Sequence, residues 1–265
     1  MHVLFHRSRF FTLIAAIAAF AFHSAAVNAQ SRTQDTWDDF KGYVTAPVRW
    51  DQGNWTAFGM LVGTTALAYH YDDDVRNHFV DTSRAAKPGE DPNDLRDIVP
   101  AAIVLAGTWA GAELADSRQG ENEAWTMLEA AGFTVVSSTA LKFAFSRERP
   151  NDTDQNDQWF KGGSSFPSMH TSLAFAVGTV LAESGNDNHR WLRRLLGYGV
   201  GGATAYLRLR SNVHWLSDTV AGAGLGIATA DFVLNQEDRR HRRSHVQLMP
   251  TPDGGAILMF SAVLQ

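Results

Sequence analysis

The sequence predicts an all-α body of six helices, on three observations. Six apolar stretches are each long enough for a helix: Trp55 to Tyr71, Leu95 to Leu114, Glu123 to Phe145, Ser168 to Ala182, Trp191 to Leu207 and His214 to Leu234. Small residues recur inside them, and the pairs Gly197/Gly201 and Gly222/Gly226 stand one turn apart, a spacing that lets helix backbones approach closely. No useful period-two alternation precedes residue 244, so strands are not expected in the body.

Composition narrows the class. The chain has 265 residues, 45% of them hydrophobic, which excludes a disordered chain and suits one large domain. A formal net charge of -5 gives no basic face for nucleic acid. The absence of cysteine removes disulfides, thiolate catalysis and thiolate metal sites.

In chain order, Arg7 and Arg9, the apolar run Phe10 to Phe22 and Val27-Asn28-Ala29 form a secretory signal pattern, with cleavage expected after Ala29. Residues 30–54 are polar with spaced aromatics. Trp37, Phe40 and Val44 fall at i, i+3, i+7, one apolar stripe suited to the body or to a membrane surface. Between the first two apolar stretches, His70 through Pro92 is acidic and turn-rich. Asp72-Asp73-Asp74 lack metal-ligand spacing, so this stretch is expected to be a capped, solvated loop. Arg239 to Arg243 should close the last helix, where cations complement the dipole. Val246 to Met249 and Ala256 to Phe260 flank Pro252-Asp253-Gly254-Gly255, which predicts a short C-terminal β-hairpin packed on the helices.

Three clusters carry chemistry. Lys142 and Arg149 stand two turns apart, which predicts one helix face, and Pro150 discourages continuation. Pro167-Ser168-Met169-His170 reads as a helix start with Ser168 at the cap, where free N–H groups suit an anion. Arg208 is followed by His214 and Asp218, spaced i, i+4 and expected on one helix face. Each cluster has an ordinary structural reading as helix ends and surface contacts. Together they supply three cations, hydroxyl and N–H donors, two histidines and an orienting carboxylate, the inventory of phosphoryl transfer.

Lys142-x6-Arg149-Pro150, Pro167-Ser168-x-His170 and Arg208-x5-His214-x3-Asp218 resemble the three-part signature of the type 2 phosphatidic acid phosphatase family. That family shares its helical fold with bacterial non-specific acid phosphatases and vanadium haloperoxidases. The resemblance covers Trp55 to Leu234, with order and spacings matched. Met169 stands where the family usually has Gly, and Leu207 where it usually has Ser. The resemblance implies a six-helix bundle of the acid phosphatase/vanadium haloperoxidase type. It also implies a metal-independent reaction with no cofactor, in which His214 attacks phosphorus to give a phosphohistidine, Asp218 orients His214, and His170 is acid and then base. Lys142, Arg149, Arg208, the Ser168 hydroxyl and the N–H groups near Met169 would hold the phosphate oxygens.

The expected organisation is a signal segment at 1–29, an amphipathic linker at 30–54, a helical phosphatase domain at 55–238 and a basic segment with hairpin at 239–265. Expected substrates are phosphomonoesters or lipid (pyro)phosphates, with contact at a membrane surface. Many relatives span membranes. Here most uncharged runs fall short of a span, Glu129 interrupts the third helix and mean hydropathy is -0.20. With an exported residue 30, six spans would also put the catalytic loops in the cytoplasm and the basic segments outside, against the positive-inside tendency. The expectation is therefore an exported, periplasmic or envelope-associated bundle. The alternative is an integral inner-membrane protein whose site faces the periplasm. Competing functions are a vanadate-dependent haloperoxidase and a non-catalytic phosphate-headgroup binder.

Overall fold

The computed structural model describes residues 29–81, 83, 85–90, 98–185, 189–243, 246–250 and 256–260, with side chains between residues 32 and 240. Most of the expected signal segment lies outside these residues. The described residues hold eight α-helices, not six: α1 (Ala29–Val44), α2 (Gln52–His70), α3 (Asp72–Phe79), α4 (Val99–Leu114), α5 (Arg118–Phe145), α6 (Met169–Glu183), α7 (Arg190–Arg210) and α8 (Leu216–Arg243). The six expected helices are α2 and α4 to α8; α1 and α3 are added. Strands β1 (Val246–Pro250) and β2 (Ala256–Phe260) pair antiparallel, Leu248 opposite Leu258. The turn between them and their side chains, hence their docking, lie outside the described residues.

The core is built around α6. From His170 to Ala182 nearly every residue is buried, as an apolar helix enclosed by neighbours requires. Its glycine and those of α7 and α8 permit this enclosure. A Cβ on Gly197 would fall 2.1 Å from the Gly178 carbonyl oxygen, and one on Gly226 would fall 2.2 Å from that of Ser172. Met127, Ala130 and Phe133 of α5 and Ala230 and Val233 of α8 complete the centre.

Helix α1 packs on this core through Phe40 and Tyr43. Both rings meet Phe133, at 5.4 and 5.3 Å between centroids, and Tyr43 also meets Phe232 at 5.3 Å. The Tyr43 hydroxyl bonds Ser137 Oγ of α5 at 2.8 Å and Thr229 Oγ1 of α8 at 2.9 Å. The buried face thus runs through Tyr43, whereas Trp37 and Val44 of the expected stripe are exposed. The hydroxyl explains the choice: it reaches two partners that Val44 has no group to meet. At the other end of the bundle, Arg240 pairs with Asp39, Glu237 and Glu129, drawing α1, α5 and α8 together.

The acidic stretch after α2 is a solvated loop only in part. Its first residues form α3, and Asp72 is fully buried against Arg147 and Ser217. The rest of the stretch is latched to the loops of the chemical clusters. Arg210 pairs with Asp81 at 2.6 Å, Arg76 donates to Asn212, and Asn151 donates to the carbonyls of Lys87 and Glu90. Three adjacent aspartates looked solvated because the partners that bury the first lie about 75 residues and more away in sequence. Among the described residues no helix is long and apolar enough to cross a membrane.

Candidate active site

The three clusters meet at one end of the bundle, where α5 ends and α6 and α8 begin. Helix α5 stops at Phe145, before Pro150. Ser146 turns into the left-handed region at φ 42 and its N–H caps the Lys142 carbonyl at 2.8 Å. Arg149 is therefore on the following segment, not on the Lys142 helix face. That segment pairs with residues 158–165: Glu148 N–H donates to the Gln158 carbonyl and Ser165 N–H to the Arg147 carbonyl, each at 2.9 Å. Gly163 makes the pairing possible, since a Cβ there would lie 2.2 Å from the Arg147 carbonyl oxygen. The fold-back reunites the two cations. Lys142 Nζ donates to the Ser164 carbonyl, and Arg149 Nη2 donates to Ser164 Oγ at 3.2 Å.

The second cluster opens α6. Ser168 occupies the cap position, but its hydroxyl makes no cap bond; it is buried and accepts from Thr171 Oγ1 at 3.0 Å. Its N–H donates to the Asp218 carbonyl at 3.0 Å, tying the start of α6 to that of α8. Gly222 allows this contact, because a Cβ there would fall 2.7 Å from the Ser168 carbonyl oxygen. Met169 is half-buried. His170 is buried, and its Nε2 finds no hydrogen-bond partner among the described residues.

In the third cluster, Arg208 is buried in the last turn of α7. His214 lies in the turn between α7 and α8, preceding Leu216, rather than on a helix face with Asp218. Ser211 ends α7 and Asn212, at φ 56, reverses the chain there, a conformation Asn tolerates well. His214 Nδ1 stands 3.5 Å from Asp218 Oδ2. The Asp218 oxygens are hydrogen-bonded elsewhere: Oδ1 to Arg147 at 2.7 Å, and Oδ2 to Ser165 Oγ at 2.5 Å and the Trp215 N–H at 2.9 Å.

The electrostatics unite the clusters. Burial first, then Arg208, His214, Lys142 and Arg149, hold His170 well below the ordinary histidine range. Burial, Lys142, Arg208 and Arg149 do the same to His214, opposed by the Ser165 backbone. The site is a buried pair of neutral imidazoles facing three cations from three different segments. Such a field favours an oxyanion.

Arg147 and Asp72 were not among the residues expected at this site. Arg147 is fully buried, bridges Asp72 and Asp218 at 2.7 Å each, and lies 4.4 Å from the Trp159 ring centroid. Burial pushes the Asp72 carboxyl up, against the Arg147 and Ser217 contacts that hold it down. Trp159 packs on Arg147, while its neighbour Phe160 is 71% exposed.

Residues 123–242 match the profile of the PAP2 superfamily. The matched segment runs from within α5 to the end of α8. It contains all three clusters. A lipid A 1-phosphatase of Porphyromonas gingivalis is 27% identical over 177 residues, 65% of this chain and 36% of the relative. The chain thus spans about a third of the length of the curated relative it matches. Among solved structures, LpxE of Aquifex aeolicus aligns at 22% identity and a TM-score of 0.35 over 54% of this chain and 87% of that one. A transmembrane PAP2-type phosphatidylglycerolphosphate phosphatase of Bacillus subtilis aligns at 20% identity and 0.39, over 90% and 98%.

Proposed function

We propose that this PAP2 protein is a phosphatase that acts on lipid phosphates or other phosphomonoesters through a phosphohistidine, without a metal. The observation that carries the reading is the convergence of Lys142, Arg149 and Arg208 on two buried histidines. The activity of the Porphyromonas gingivalis relative supports a lipid phosphate as substrate. With Nδ1 turned toward Asp218, Nε2 of His214 is the nitrogen that attacks phosphorus. The N–P bond forms as the bond to the leaving oxygen breaks, and His170 gives that oxygen a proton. Water then attacks phosphorus, His170 takes the water's proton, and the N–P bond breaks. The three cations, with the N–H groups at the start of α6, hold the other phosphate oxygens as charge develops.

The depressed histidines fit this cycle. His214 stays neutral, as a nucleophile must, well below pH 6.5. A bound phosphate offsets the cations, so His170 holds its proton more readily in the complex than in the empty site. Exposed Trp55, Phe58, Met60, Val62 and Leu67 on α2 support a seat at a membrane surface in the cell envelope. The test is hydrolysis of an aryl phosphate and of lipid A 1-phosphate in chelator, with acid-labile phosphate trapped on the protein. Turnover and trapping that vanish in His214→Ala are expected. Wild-type turnover in that variant overturns the mechanism.

A further inference from the structure

Asp72, Arg147 and Asp218 are fully buried, although an ion in the interior is retained only where hydrogen bonds meet it. Here they do. Arg147 Nη1 donates to Asp218 Oδ1 at 2.7 Å and to Ser217 Oγ at 2.8 Å. Its Nη2 donates to Asp72 Oδ2 and to the Asn156 carbonyl, each at 2.7 Å. Asp72 receives the Ser217 N–H on Oδ1 and the Ser217 hydroxyl on Oδ2, each at 2.8 Å. Three aromatic rings enclose the guanidinium: Trp159 at 4.4 Å, Tyr69 and Trp215 at 5.3 Å.

This arrangement fixes the Asp218 carboxylate about every axis. Arg147 occupies Oδ1, so Oδ2 is the oxygen that faces Ser165, the Trp215 N–H and His214 Nδ1. An anion 3.5 Å from Nδ1, a nitrogen with no other hydrogen-bond partner among the described residues, favours the tautomer that carries its proton there. Asp72 in turn fixes the Arg147 fork and, through Ser217, the first turn of the helix that carries Asp218. A quarter-turn of the carboxylate about Cβ–Cγ would take both oxygens out of line with the imidazole.

We propose that Asp72 and Arg147 are positioning residues for His214, acting through Asp218; their kinetic consequence rests on the phosphohistidine reading above. The element that carries Asp72, the short helix α3, is then part of the reaction apparatus although it carries none of the residues assigned to hold the phosphate.

The test uses the full chain with ¹⁵N-labelled histidine, comparing Arg147→Lys, Asp72→Asn and Ser217→Ala with the wild type. Ring-nitrogen NMR reads the His214 tautomer, aryl phosphate hydrolysis reads kcat and KM, and thermal unfolding reads stability. The expected result is a His214 signal moved from one tautomer toward a mixture in all three. The kcat is expected to fall on the order of tenfold to a hundredfold in the two charge variants and about threefold in Ser217→Ala, with KM little changed. Should the charge variants fail to fold, Ser217→Ala, which removes no charge, decides by the same readouts. Folded variants that lose stability but keep the wild-type tautomer and kcat overturn the proposal, because a scaffold role predicts that pattern. If the wild type hydrolyses no phosphate while the tautomer shifts, the phosphatase reading fails and the positioning role stands.

Discussion

Two arginine–carboxylate clusters lie at opposite ends of α8, and they are built on different rules. Arg147 meets Asp72 and Asp218 with all three side chains fully buried. Hydroxyls and backbone N–H groups serve the carboxylate oxygens that the guanidinium leaves. Arg240, 22 residues past Asp218 and so about 33 Å farther along the helix, meets Asp39, Glu129 and Glu237 while 30% exposed. Three carboxylates compete for one cation there, and Glu129 Oε1 receives no bond. Burial first, then Asp39, pushes Glu129 up to about 8, against Arg240. A network whose acceptors are matched by donors keeps its geometry; one with surplus carboxylates takes up a proton instead.

The contrast is sharpest in the unfolding free energy. Arg147→Met leaves two buried carboxylates without their cation and is expected to destabilise by about 3–5 kcal/mol. Arg240→Met, at a partly solvated site, should lose about 1 kcal/mol. Equal losses in chemical denaturation would erase the distinction.

Acid should weaken the site end next. Below pH 6.5 the unfolded chain protonates both His170 and His214, whereas the folded chain, which holds both low, does not. The unfolded state then binds more protons, so stability falls with pH, by about 1.4 kcal/mol per unit for each histidine. Saturating inorganic phosphate should recover part of the loss. In a Glu129→Gln background, which removes the opposing slope of that carboxyl, a profile between pH 6.5 and 5.5 that flattens when His170→Asn/His214→Asn is added assigns the effect to this pair.

A smaller effect tests how tightly the site's helices are set. Gly222→Ala places a methyl against the Ser168 carbonyl and should destabilise by about 1–3 kcal/mol, with kcat falling alongside. Unchanged thermal unfolding would mean that the start of α6 yields. The smallest effect belongs to the far cluster at pH 5. There Glu129 is protonated in the fold, and Glu129→Gln should change stability by less than about 0.5 kcal/mol. Between pH 5 and 8 the wild type loses stability as its unfolded Glu129 ionises and the folded one does not, so the variant gains on it.

Much of the site was legible because its parts recur at fixed local spacing. Lys142 and Arg149, Ser168 and His170, and Arg208, His214 and Asp218 each sit within a few turns of chain, and all reach one end of the bundle. The helices of the body were legible from their apolar length. What escaped is set by distance and by side chains that override local preference. Asp72 reads as one of three solvated aspartates until Arg147 and Ser217 arrive from elsewhere in the chain. The shared helix face expected for Lys142 and Arg149 failed because Ser146, a residue with no special licence for a positive φ, turns the chain out of the helix before Arg149. The Phe40–Tyr43 face of α1 was missed because a tyrosine's value depended on two hydroxyls in other helices.

The seat of α1 has a practical consequence for orienting the molecule on a support. Arg32 donates to Asn122 at 2.8 Å and stacks on Trp125, so the first turns of α1 lie beside the first turns of α5. Lys142 closes that same helix 20 residues later, a separation of about 30 Å. A tether attached at Arg32 would leave the molecule from the end of the bundle opposite the candidate site. A bead or sensor surface joined there would present the candidate site outward, with no linker passing across it.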